Sequence, residues 1–210
     1  MKSKTTLWNP QERKLLASLR SPEGVQQYLD NLPYNAKESC YSPRFVMNSG
    51  AAHCMEGALF AAAALEFLGY KPLIVDLIAQ RDDDHIIAIY KRNGKWGCVA
   101  KSNYTGLRYR SPVYRTLREL ALSFFDDYFN VKQELTLRGY SPPLLLSKRH
   151  FGKWQIREDD LYDVSDHFEK MKQIPLITKA EVRSLRRVDD KLYRAGLLGS
   201  NPKGLYKIKV

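Results

Sequence analysis

At 210 residues, 44% apolar and 27% charged, the chain has the composition of a globular protein with a core of its own, not of a disordered segment. Its longest uninterrupted apolar stretch, 58–65, is too short for a membrane span, and no apolar run follows the early lysines of MKSKTTLWNPQERK, so neither a membrane protein nor a signal peptide is expected. The net charge of +11 is concentrated late, where ten Lys/Arg face three acidic residues between Met171 and Val210.

In chain order, SPEGVQQYLDNLPY predicts a helix with Ser21 as N-cap, Pro22 at its first position and Pro33 as its stop. KESCYSPRFVMNSGAA reads as loop. Residues 52–68 predict the longest helix, stopped by Gly69. Leu59, Phe60, four consecutive alanines and Leu65 make it apolar on most sides, so it belongs at the centre of the fold. The period then changes: KPLIVDLIA, HIIAIYK and KWGCVAKSN predict three strands, with Asn-Gly in RNGK marking a hairpin between the last two. PVYRTLRELALSFFDDYFN predicts a second amphipathic helix and YSPPLLL a proline-broken connection. Short helices are expected in DDLYDVSDHFEKMKQ and TKAEVRSLRRVDDKLYRAG. A buried helix followed by an antiparallel sheet predicts an α+β fold.

Three cysteines (Cys40, Cys54, Cys98) without CxxC spacing argue against a disulfide framework and against a structural zinc site, and they fit a reducing cytoplasm. Cys54 stands at the mouth of the central helix, where unpaired N–H groups and the macrodipole favour the thiolate. His85, at the start of the second strand, is the candidate proton carrier. A third polar group must orient its ring, and the end of the next strand offers Lys101, Ser102 and Asn103. His53 is a poor substitute base because adjacent helical side chains diverge; His150 and His167 read as surface residues. For an oxyanion, the N–H of Cys54 is the first donor, with the Asn48 amide as a candidate second. Glu56 reads as a first-turn carboxylate without a catalytic role. Asp76, a carboxylate inside LIVDLIA, either faces solvent or lines a cleft.

Over residues 20–130 the chain resembles the transglutaminase-like branch of the papain-like cysteine enzymes. The resemblance rests on AHCMEGALFAAAALEFLGYKPLIVDL, matching the family's cysteine helix, and on DDHIIAIYKRNGKWGCVAKSN, matching its histidine strand and Trp-bearing strand. It implies Cys54 as nucleophile and His85 as general acid/base. Where the family has Asp after its Trp strand, this chain has Ala100, Lys101, Ser102 and Asn103. Asn103 fits the papain-branch role, with Ser102 as the alternative.

The expected protein is therefore a papain/transglutaminase-like core over residues 1–145, with a basic, mainly helical extension over 146–210 packed on it. The expected activity is cysteine hydrolase or acyltransferase chemistry on peptide or protein amides through a thioester, with no cofactor and no metal. The alternative is an inactive scaffold of the same fold that binds a protein or nucleic-acid partner. Nucleic-acid contact through the basic tail ranks below a solvated, solubilising face, since no nucleic-acid motif accompanies the charge.

Overall fold

A computed structural model of the chain describes residues 7–207. The first six residues of the segment read for a leader, and Lys209 of the basic tail, lie outside the described residues.

Helices α1 (Pro10–Leu19), α2 (Pro22–Asp30) and α3 (Pro43–Ser49) precede the central α4 (Cys54–Phe67). Strands β1 (Leu73–Ala79), β2 (His85–Arg92), β3 (Lys95–Val99) and β4 (Arg110–Tyr114) then form a meander. Next come α5 (Leu117–Leu122), β5 (Leu137–Tyr140), β6 (Leu144–Leu145), α6 (Lys148–Phe151), α7 (Tyr162–Glu169) and β7 (Ile174–Pro175). The last α-helices are α8 (Lys179–Ser184) and α9 (Asp190–Gly196). The seven strands make one antiparallel sheet in the order β4-β3-β2-β1-β5-β7, with β6 also pairing β1. The α+β expectation is met. Among the described residues no helix is long and apolar enough to cross a membrane.

The local chemistry explains most boundaries. Ser21 caps α2 by accepting the Gly24 N–H, and Pro22 follows at the first position. In the β2–β3 hairpin Asn93 and Gly94 both take positive φ, 51° and 75°, the left-handed pair that a two-residue turn requires. Eleven of the fourteen α4 residues are buried, so this helix is held by packing on every side rather than by one apolar stripe.

The predicted helix over 112–130 is a correction. Arg110–Tyr114 pairs with β3 instead, and only after the Thr116 cap does a helix begin, ending at Leu122. The predicted helix over 178–196 is likewise split: Thr178 caps α8 and Asp189 caps α9, so a second start signal lies inside the expected element.

The sheet has a core on each face. Along β2, Ile86, Ala88 and Tyr90 join the core that surrounds α4, while Ile87 and Ile89 join the opposite one. Residues beyond 146 complete both cores: Trp154, Leu161 and Val164 pack on the α4 side, and Leu176 and Val188 on the other. Cys54 therefore starts a helix lying against one face, beside the end of the sheet where β2 begins.

Candidate active site

The lead-in to α4 is fixed by its own polar groups. Ala52 donates to the Pro33 carbonyl, and Asn35 donates back to that of Ala52. His53, in extended conformation, is the N-cap: its Nδ1 accepts the Met55 N–H at 3.2 Å, and its Nε2 donates to the Ser39 carbonyl at 2.5 Å. Glu56 closes a capping box on the His53 N–H at 3.2 Å. Only 1% exposed, Glu56 also accepts from the Asn35 amide (3.1 Å) and the Ser39 hydroxyl (2.8 Å). One carboxylate thus stitches residues 35–39 over the start of the helix. The N–H of Cys54 is engaged by neither cap residue.

Cys54 is partly buried at the first helical position, its sulfur 4.0 Å from the Asp84 carbonyl at the head of β2. Burial pushes its thiol up to about 12, against the Ile86 and Met55 N–H groups that favour the thiolate; the nearby charges of Asp83 and Asp76 push the same way as burial. The expected resting thiolate is therefore a correction. Desolvation and a carboxylate-rich surround outweigh the helix end, and the resting form is the neutral thiol.

His85 is 4% exposed. Its Nε2 donates to the Leu107 carbonyl at 2.8 Å, leaving Nδ1 as acceptor, and Phe124 and Tyr128 meet the ring edge-on. Burial lowers its pKa to about 4, and the Arg110 charge adds to the effect, so the ring is neutral at physiological pH. Cys54 and His85 line one cleft, but no hydrogen bond joins them.

Asn103 and Ser102 reach the same cleft without orienting His85. The Asn103 amide is spent on the main chain of Asn201, accepting its N–H at 2.7 Å and donating to its carbonyl at 2.9 Å. The Ser102 hydroxyl accepts the Tyr104 N–H. Leu107 fills the orienting position, because the chain turns away from the sheet after Val99 and brings its backbone beneath the imidazole. Lys101 is buried with its ammonium on the carbonyls of Leu29 and Leu32, closing the end of α2. Asn48 is exposed on α3 and outside the cleft, so it is not the second oxyanion donor. Asp76 neither faces solvent nor lines the cleft: it is 7% exposed, burial, helped by the Asp84 charge, raises its pKa to about 8, and its Oδ1 has no hydrogen-bond partner among the described residues. His150 and His167 are exposed, as expected.

The cleft holds about 750 Å³. Three of its walls were not foreseen. Tyr128 is buried and donates to the Asp83 carbonyl at 2.7 Å, holding the Asp82–Asp84 turn in place. Tyr34 and Tyr104 face the cysteine end. Residues 203–207 of the C-terminal segment form the third wall. The DDDH run was the one visible signal, read from sequence only as a charged turn. Among the described residues no group of three or more His, Cys, Asp or Glu is arranged to hold a metal ion.

No protein-family model matches the chain, and no curated protein matches it.

Proposed function

We propose that the protein is a cysteine hydrolase or acyltransferase of papain/transglutaminase-like architecture, acting on peptide or protein amide bonds. One observation carries the reading: a cysteine at the first turn of a buried helix and a histidine at the head of the adjacent strand open on the same cleft. The free state of all three cysteines supports a reducing, cytoplasmic setting.

In this reading both partners rest uncharged. Cys54 passes its proton to His85 Nδ1, the ring atom that the Leu107 contact leaves free, as sulfur attacks the substrate carbonyl carbon. The carbonyl electron pair moves onto oxygen, where the N–H of Cys54 donates to it. The imidazolium then gives its proton to the departing amine, the C–N bond breaks, and a thioester remains. Attack by water or a second amine restores the thiol. Substrate must tighten the Cys54–His85 approach, as is common where catalytic hydrogen bonds are long without substrate.

The test is ammonia release from a glutamine-rich protein such as casein, run alongside incorporation of a fluorescent primary amine. Cys54→Ala should abolish both signals and His85→Ala should slow them by about 10²–10⁴-fold. Turnover that survives Cys54→Ala would sink the reading.

The neutral thiol, together with the engagement of Asn103 by Asn201, favours a second reading: a scaffold of this fold that binds without turning over. It predicts no Cys54-dependent release from any amide.

A further inference from the structure

On a chain of net charge +11, the cleft wall nearest Cys54 is acidic. Asp82, Asp83 and Asp84 stand in succession there, with Glu38 across from Asp83. Thr136 holds Asp82 at 2.7 Å, and the Ala79 N–H holds Asp84 at 2.7 Å. The carboxylate of Asp83 is exposed and accepts no hydrogen bond from the described residues, so it is open to a donor. Among the described residues, one buried polar atom of a side chain lining this end lacks a partner. The Tyr104 hydroxyl belongs to a cleft-lining side chain only 9% exposed, which feels the charges of Asp82 and Asp83. A hydroxyl without a protein partner, beside carboxylates, leaves its lone pairs and the carboxylate oxygens for a donor-rich cation such as an ammonium, which carries three N–H groups and no acceptor.

An independent observation supplies the rest of the ligand. Asn103 pairs with both main-chain groups of Asn201, the contact by which an amide side chain reads a peptide backbone irrespective of sequence. Asn201 in turn donates to the Tyr34 carbonyl. Gly204 lies so close to the Tyr34 ring that a Cβ would come within 2.7 Å of it. Lys203 and Lys207 follow along the cleft. The chain has seated a segment of its own, carrying two lysines, along this cleft.

We propose that the cleft recognises a basic peptide, with Asn103 pairing to its main chain and Asp82, Asp83 and Asp84 receiving a lysine or arginine side chain, and that residues 201–207 are the resident competitor. The proposal names the substrate class for the cysteine acyl-transfer reading and rests on that reading only for what happens to the bound peptide. An anionic ligand would meet repulsion from the same wall.

The test is fluorescence anisotropy of a dye-labelled Gly-Lys-Gly-Lys peptide and its Gly-Glu-Gly-Glu counterpart on the full chain. The lysine peptide should bind about tenfold or more tightly than the glutamate one and weaken as salt screens the contact. The double variant Asp83→Asn/Asp84→Asn should lose that preference while its circular dichroism melt stays native. Lys203→Ala/Lys207→Ala should tighten lysine-peptide binding by weakening the competitor. Equal affinity for the two peptides, or an unchanged preference in a native-melting Asp83→Asn/Asp84→Asn variant, would overturn the proposal. Charge-selective binding without Cys54-dependent turnover leaves the proposal standing and removes the enzyme reading. Turnover without charge preference does the reverse.

Discussion

Replacing Glu56 with alanine removes the group on which the start of α4 depends. The substitution leaves three donors without their acceptor at a site 1% exposed: the His53 N–H, the Asn35 amide and the Ser39 hydroxyl. A hydrogen bond to a charged acceptor is worth about 1.5–3 kcal/mol net, and loss of a capping interaction costs about 0.5–2 kcal/mol. The three do not add fully. Asn35 retains a 3.2 Å contact to Ser39, and His53 still caps Met55 and holds the Ser39 carbonyl. A loss of about 3–4 kcal/mol is therefore expected, which for a domain of this size lowers the melting temperature by roughly 6–15 °C. Glu56→Gln keeps the shape and one acceptor oxygen and should lose about half as much. Urea denaturation followed by tryptophan fluorescence measures both, with the slope of the transition checked for constancy. A Glu56→Ala variant within about 0.5 kcal/mol of the parent would mean that the loop over Cys54 is not held as described.

Two further expectations concern titration. With its thiol pushed up to about 12, Cys54 should be alkylated by iodoacetamide at a rate that still climbs about tenfold per pH unit between pH 7 and 10, because only the thiolate reacts; a rate that levels off below pH 8 would contradict the desolvated environment. Asp76 carries a raised pKa of about 8, so the folded state binds a proton that the unfolded chain releases in the ordinary carboxylate range. Its contribution to stability is full at low pH and is lost as pH rises towards and through about 8, so Asp76→Asn should flatten the decline, and parallel denaturation curves for parent and variant from pH 5 to 9 would refute this.

The parts of the fold legible in the sequence are those with strong local codes. A long apolar run announced α4, alternation and an Asn-Gly turn announced β1–β3, and Ser21-Pro22 announced α2. Strands β4 to β7 are two to five residues long, too short to show a period of their own, and β5 and β6 pair with β1, far away in sequence. The site divides the same way. Cys54 and His85 could be placed at the starts of α4 and β2 because their positions follow from element boundaries. The role of Asn103 was missed because it depends on a residue 98 positions later, and Leu107 because a carbonyl oxygen leaves no trace in side-chain identity. Resting charge was misread because the helix end is visible in sequence, whereas the burial and the Asp76 and Asp83 carboxylates that oppose it are tertiary facts.

The pairing of Asn103 with Asn201 also orders events during synthesis. The helix bearing the thiol and the strand bearing the imidazole leave the ribosome before residues 201–207, so among the described walls of the cleft the one those residues form is made last.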